Sequence, residues 1–166
     1  MGGDAISGRR VRLALMDERQ FEEFAASSVR EYARDKVLAG QWAEPSAPRQ
    51  AAQALASLLP RGLATPDHHL FVAEDAASGA TVGTAWLHVD RSVAPPFGYL
   101  YDIRVDDAVQ GLGYGRALLD AVEGAARQAG CASLRLHVFG HNDRARRLYE
   151  GAGYRATNLN MRKDFR

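Results

Sequence analysis

The stretch Gln110-Gly111-Leu112-Gly113-Tyr114-Gly115-Arg116 sets three glycines at alternate positions between two segments of different periodicity. Before it, Tyr99-Leu100-Tyr101-Asp102-Ile103-Arg104-Val105 alternates as a strand does, which assigns Tyr101, Ile103 and Val105 to one face. After it, Leu118, Ala121, Val122 and Ala125 recur at helical spacing, and Gly130 ends the helix. Glycine permits backbone conformations and close approaches that a side chain blocks. The first turn of a helix offers unpaired N–H groups and a partial positive charge. A glycine turn that opens a helix is therefore a place for phosphate or pyrophosphate. Three alternate glycines exceed what a bare tight turn needs, so the anion-binding reading is preferred.

The identity of the phosphate compound narrows by exclusion. A nucleotide-triphosphate loop needs Gly-Lys followed by Ser or Thr, and the chain has none. A dinucleotide fingerprint needs Gly-x-Gly-x-x-Gly; its third glycine falls on Arg116 or Leu118, depending on the start. The acidic residue expected about 20 residues on is missing too, because 124–142 holds no Asp or Glu. A nucleotide-dependent oxidoreductase is thereby disfavoured.

Outward from the turn, the chain reads as alternating elements. Leu70 to Ala73 and Thr81 to Val89 form a hairpin around the turn residues 75–79. Pro95-Pro96 makes 91–98 a loop. Val11 to Leu15 is a strand, and Asp17 caps a helix carrying Phe21, Phe24, Ala25 and Val29. A second helix runs from Arg49 to Leu59 between Pro48 and Pro60, with 40–48 a loop before it. Downstream, Leu134, Leu136 and Val138 alternate, which places His137 on that strand too. Ala145, Leu148, Tyr149 and Ala152 follow helical spacing to Gly153. Two short strands, 154–157 and 160–163, are expected to close the chain. Strands alternating with helices imply a partly parallel sheet, and the early hairpin makes it mixed.

Composition excludes several classes. The chain has 166 residues, 46% hydrophobic and 25% charged, which suits one globular domain over 1–166, with 1–9 expected to be flexible. A single cysteine, Cys131, allows no intrachain disulfide and no Cys-based metal site, and no metal is expected. A net charge of +1 lacks the basic excess of nucleic-acid binders, so no nucleic-acid partner is expected. Arg144, Arg146 and Arg147 read as a solvated helix face. The N-terminus lacks a signal pattern, and no apolar run reaches the roughly 20 residues of a membrane span. The expectation is a cytoplasmic protein with no membrane partner.

These residues resemble the GNAT acetyltransferases, the Gcn5-related superfamily. The family's acetyl-CoA signature, Gln or Arg, two residues, Gly, one residue, then Gly or Ala, is matched by Gln110 to Gly115, after a strand ending in Ile103-Arg104-Val105. A second feature is an Asn, a helix with a small residue, Leu-Tyr, then Gly and an aromatic. It is matched by Asn142, Ala145, Leu148-Tyr149 and Gly153-Tyr154. Asn160 to Lys163 is similar to the family's last strand. The resemblance covers about 71–163, and 136–142 with Thr157-Asn158 looks like a little-characterised bacterial branch. It implies an α/β (α+β) GNAT fold: a mixed central sheet of about six to seven strands, splayed between the fourth and fifth, flanked by about four helices.

The resemblance further implies an acetyl-CoA-dependent N-acetyltransferase that acts on a primary amine of a small molecule or protein by direct attack. The alternative is a non-catalytic acyl-CoA-binding module. On this reading, backbone groups of Leu112, Gly113, Tyr114, Gly115 and Arg116 hold the pyrophosphate behind Gln110 and Gly111. Backbone groups of Ile103 and Val105 hold the pantetheine arm, and an N–H near Ile103 serves as an oxyanion donor. Tyr149 corresponds to the tyrosine that protonates the departing thiolate, although spacing alone reads it as a core aromatic. Asn142 either caps its helix or bonds the pantetheine. Asp102 is the candidate base, through water because alternation turns it away from Ile103; His137 is a lesser one. Acceptor recognition is assigned to the first two helices and the 40–48 loop, with Trp42, Glu44, His68 and His69 as candidates. Many relatives are homodimers, so a homodimer is allowed.

Overall fold

The computed structural model describes residues 8–165. The expected flexible segment 1–9 lies outside this range except for Gly8 and Arg9. Five strands and four helices follow in the order β1 (Val11–Leu15), α1 (Glu18–Leu38), α2 (Ala47–Leu58), β2 (His68–Asp75), β3 (Thr81–Asp90), β4 (Phe97–Val105), α3 (Tyr114–Gln128), β5 (Leu134–Leu136) and α4 (Asp143–Gly151). Single 3₁₀ turns sit at Glu44–Ser46, Gly62–Ala64 and Asp107–Val109.

Local chemistry explains the boundaries. Asp17 accepts from the Gln20 backbone N–H while the Gln20 side chain accepts from the Asp17 N–H, a reciprocal cap that starts α1. Pro48 falls inside the first turn of α2, where a missing N–H costs nothing. The 75–79 turn is closed by Asp75 Oδ1, which accepts from the backbones of Ala77 and Ser78 and from the Ser78 hydroxyl.

The sheet order is β1-β2-β3-β4-β5, antiparallel from β1 to β4 and parallel between β4 and β5. It is the mixed α/β arrangement that the resemblance implies, with five strands among the described residues rather than six to seven. The two closing strands expected at 154–157 and 160–163 are irregular chain: no described strand pairs with them, and Leu159 and Met161 are exposed. Their apolar alternation therefore has no face to bury. The fifth strand is also shorter than its alternation suggests, so His137 and Val138 follow β5 rather than belonging to it.

Helices cover both faces. On one, α3 buries Leu118, Leu119 and Val122 completely against Ala73, Ala85, Leu87 and Leu100, and Tyr149 of α4 joins them. Each such aliphatic side chain contributes about 1.5–3 kcal/mol by leaving water. On the other, Phe24 of α1 and Leu59 after α2 pack on Leu70, Val72 and Trp86. Gly98 keeps the packing close where the layers meet: a Cβ there would lie 2.8 Å from Leu134 Cδ1 and 3.2 Å from Leu87 Cδ1, so those side-chain ends would have to shift.

Candidate active site

The site is built by a strand that loses its neighbour. β5 pairs with β4 only through Gly98↔Leu134, Tyr99↔Arg135 and Leu100↔Leu136. From residue 102 to 105, β4 keeps β3 on one side and has no partner strand among the described residues on the other. This is the splay expected between the fourth and fifth strands.

Which backbone groups face the gap follows from the ladder. The Asp106 N–H donates to the Val82 carbonyl at 2.9 Å. Val105↔Gly83 is therefore a non-hydrogen-bonded pair, and alternation makes Ile103↔Ala85 another. The N–H and C=O of Ile103 and Val105 thus point away from β3, into the gap. The Val105 carbonyl accepts from Gln110 Nε2 at 3.1 Å, which agrees. Meanwhile the Ile103 and Val105 side chains pack in the α3-side core.

The expectation that Tyr101 shares a face with Ile103 and Val105 is corrected by a β-bulge. The register steps from Trp86↔Asp102 to Leu87↔Leu100, leaving Tyr101 without a partner. The extra residue turns Tyr101 to the opposite face, where its ring stacks on Trp86 at 4.6 Å. Asp102 and Arg104 also look toward α1. Arg104 Nη1 donates to Ser27 Oγ at 2.7 Å and lies 3.2 Å from Glu31 Oε1, while its Nη2 is 3.5 Å from Asp102 Oδ2.

The glycine turn closes the end of the gap. Gly111 and Gly113 have φ of +78° and +91°, a left-handed backbone that L side chains rarely adopt. Gly113 is the N-cap of α3, and no side chain among the described residues caps this end, so the N–H groups of Tyr114, Gly115 and Arg116 are free. The side chains around them turn aside. Tyr114 is buried and donates to Asp75 Oδ2 at 2.8 Å, and Arg116 pairs with Asp120 at 2.9 Å. Leu112 is exposed. A cradle of backbone donors is left, which fits an anion such as the pyrophosphate of CoA.

Two arginines that the sequence did not single out for this turn stand beside it. Arg9 Nε donates to the Leu112 carbonyl at 3.4 Å, with its guanidinium 5.0 Å from the centre of the Tyr114 ring. Arg144 donates to Gln110 Oε1. Neither forms a salt bridge to a carboxylate among the described residues, whereas Arg146 lies along Asp143 and Glu150 as a solvated helix face does.

Across the gap stands α4. Asn142 Oδ1 accepts from the Ala145 N–H at 3.1 Å, so the structure realises the capping role of this residue. Tyr149 is 8% exposed. Among the described residues, the side-chain polar atoms sealed from solvent without a partner are Thr84 Oγ1 and Arg104 Nε, so the Tyr149 hydroxyl reaches solvent. Burial pushes its phenol up to about 12, with the Asp102 charge adding to the rise. The two candidate catalytic groups thus share one field. Burial also raises the Asp102 carboxyl to about 6; Arg104 pulls it back and Glu31 pushes it further. His137 sits past the end of β5 with its ring 4.8 Å from Phe139, and its imidazole is lowered by burial and then by Lys36. His68 and His69 lie on β2, with the His68 ring stacked on His88 at 4.2 Å. No group of three or more metal-ligating side chains occurs among the described residues. No described helix is long and apolar enough to cross a membrane.

Comparison with known proteins gives the same picture. The model of the acetyltransferase (GNAT) family matches residues 26–154. The uncharacterized N-acetyltransferase YycN of Bacillus subtilis (strain 168) is 35% identical over 153 residues, 92% of this chain and 97% of that protein. The crystal structure of YycN superposes with a TM-score of 0.89 over 93% of this chain and 98% of that one. A second protein of that strain, the uncharacterized N-acetyltransferase YdgE, is 32% identical over 89% of this chain and 94% of its own length. The fold is shared more distantly by the aminoglycoside N-acetyltransferase AAC(6')-Iy in complex with CoA. That similarity is 16% in sequence, with a TM-score of 0.58 over 98% of this chain and 99% of that one.

Proposed function

The chain belongs to the acetyltransferase (GNAT) family, and from that premise we propose that it transfers the acetyl group of acetyl-CoA to a primary amine by direct attack within a ternary complex. The observation that carries the reading is the unpartnered half of β4, which opens Ile103 and Val105 beside a glycine turn with free helix N–H groups.

Each residue then has a task set by its position. The N–H groups of Leu112 through Arg116 hold the pyrophosphate, and Arg9 and Arg144 add positive charge at its two sides. Ile103 and Val105 bond the pantetheine amides much as an added strand would, with Gln110 releasing the Val105 carbonyl. Asn142 keeps the start of α4 in register against that arm. Bound acetyl-CoA supplies an activated thioester carbonyl. The Ile103 N–H stabilises negative charge that grows on the carbonyl oxygen. Asp102, ionised above pH 6, accepts the ammonium proton of the acceptor through water, since an amine of pKa roughly 10.4 is almost wholly protonated near neutrality. The Tyr149 hydroxyl, held in its protonated form, donates to the sulfur as the carbon–sulfur bond breaks. The balance is ammonium plus thioester giving amide, thiol and one released proton.

Release of free thiol from acetyl-CoA in the presence of an amine panel tests this. Turnover with at least one primary amine, cut by about 10²–10⁴ in Tyr149→Phe with acetyl-CoA binding intact, is the expected result. Binding of acetyl-CoA with no turnover on any amine would favour the non-catalytic acyl-CoA-binding module.

A further inference from the structure

Helix α1 crosses the sheet and bridges the gap. Its Phe24 meets Trp86 of β3 edge-on, Ser27 and Glu31 reach Arg104 of β4, and Asp35 reaches His141, beyond β5, at 3.2 Å. Lys36 follows Asp35 and so stands at the far wall of the mouth. Its charge helps lower the imidazole of His137, in the segment that leaves β5. One turn earlier, Tyr32 contributes to the raised phenol of Tyr99 on β4.

Lys36 is half-buried and forms no salt bridge among the described residues. Its Nζ donates to Gln41 Oε1 at 2.7 Å and lies 5.4 Å and 5.3 Å from the ring centres of Tyr32 and Trp42. Two rings and a neutral oxygen hold an ammonium in place without cancelling its charge, and two of its N–H groups remain to donate. The other uses of a cation at a helix end are taken. The carbonyls of Asp35, Lys36 and Val37 accept from the backbone N–H groups of Ala39, Gly40, Gln41 and Trp42, and Arg162 Nη1 donates to the Gly40 carbonyl. Asp35 is engaged by His141, and Arg104 by Ser27, Glu31 and Asp102. Lys36 is thus a cation at the mouth with donors to spare, and Gln41 Nε2 beside it donates to no described residue.

Resting on the acetyltransferase reading, we infer that the acceptor is a primary amine with an anionic group, a carboxylate or phosphate, at its far end, and that Lys36 and Gln41 bind that group. The placement sets a length. Lys36 comes five residues after Glu31, whose partner Arg104 also holds Asp102, and this is about 7.5 Å along the helix. An extended chain covers that span in about six bonds. With its anionic end on Lys36, such an acceptor brings its nitrogen level with Asp102 and the Ile103 N–H. Its ammonium needs no carboxylate seat of its own, because Asp102 takes the proton through water. An anion only two bonds from the nitrogen, as in glycine, cannot reach both places.

The test measures kcat and KM, by thiol release at saturating acetyl-CoA, for ε-aminocaproate and hexylamine, glucosamine 6-phosphate and glucosamine, and glycine. At least one long anionic amine is expected to exceed its uncharged match in kcat/KM by about tenfold or more, the worth of a charge-assisted hydrogen bond, and glycine to fall below it. Which of the two leads tells carboxylate from phosphate. Lys36→Gln should raise the KM of that amine about tenfold, with kcat within about twofold and the uncharged match unchanged. Lys36→Arg should keep the preference, and Lys36→Met, which keeps the apolar stem, should lose it. Melting of each variant guards against loss of fold. No turnover of either anionic amine, equal kcat/KM within both pairs, or a preference that survives in folded Lys36→Gln and Lys36→Met overturns the inference while leaving the acetyltransferase reading intact. Failure to bind acetyl-CoA, read separately by its effect on melting, overturns the parent reading and the inference with it.

Discussion

Asp102 offers the sharpest test of the chemistry. Its carboxyl sits at about 6, raised by burial although 26% of its side chain meets solvent. With that value roughly nine in ten molecules carry the carboxylate at pH 7 and about one in eleven at pH 5, since each pH unit is a factor of ten. An amine acceptor stays mostly protonated across this range, and Asp102 takes its proton within the complex, so the reactive pair is ammonium with carboxylate. Thus kcat/KM should climb about tenfold per pH unit below 6 and level off above it, the break marking Asp102. Asp102→Asn should remove the break and lower kcat by about 10²–10⁴, the usual worth of a positioned base. Arg104 draws the carboxyl downward, so Arg104→Gln should move the break above 6. The assay is initial-rate thiol release from pH 4.5 to 8.5. A break near 6 that survives in Asp102→Asn, or a rate within twofold of the parent, would remove Asp102 from the mechanism.

Other outcomes follow from single positions. Gly113→Ala forces a side chain into φ +91° and should cost about 1–2 kcal/mol and weaken acetyl-CoA binding. Gly115→Ala meets only Leu148 at 3.6 Å and should be tolerated in both respects, as melting and titration would read. Tyr149→Phe should cut kcat by about 10²–10⁴ while leaving the melting midpoint unchanged, because the hydroxyl bonds to no described residue. His68 is lowered from 6.5 to about 4, chiefly by burial, and its Nδ1 accepts from Trp86 Nε1 at 2.9 Å. A folded-state value below the unfolded one means that its stability is present above pH 6.5 and is lost as pH falls toward 4. Melting between pH 7.5 and 4.5 should therefore fall less steeply in His68→Gln.

The glycine turn, the helices and the hairpin were legible because their causes are local: left-handed glycines, a reciprocal cap at Asp17 and apolar residues at fixed spacing. Tyr101 was misplaced because a bulge belongs to a pair of strands, and the alternation of β4 alone cannot reveal how it registers with β3. The closing strands failed for a related reason. Leu159 and Met161 alternate, but a strand needs a neighbour, and none is supplied by the described chain. Arg144 was grouped with Arg146 and Arg147, although about half a turn of helix separates a side chain aimed at Gln110 from one lying along Glu150. The link between Arg104 and Asp102 is two residues long in sequence, yet its force comes from Ser27 and Glu31, more than seventy positions away.

The central claim is that the gap beside the glycine turn binds acetyl-CoA, and thermal melting with acetyl-CoA, CoA, NADH and ATP in separate samples addresses it directly. At a ligand excess of ~100 times the dissociation constant, binding adds about 2.7 kcal/mol. For a domain of this size that raises the midpoint by roughly 5–11 °C. The account predicts this shift with acetyl-CoA and CoA and none with NADH or ATP; a shift with NADH or ATP alone would contradict it.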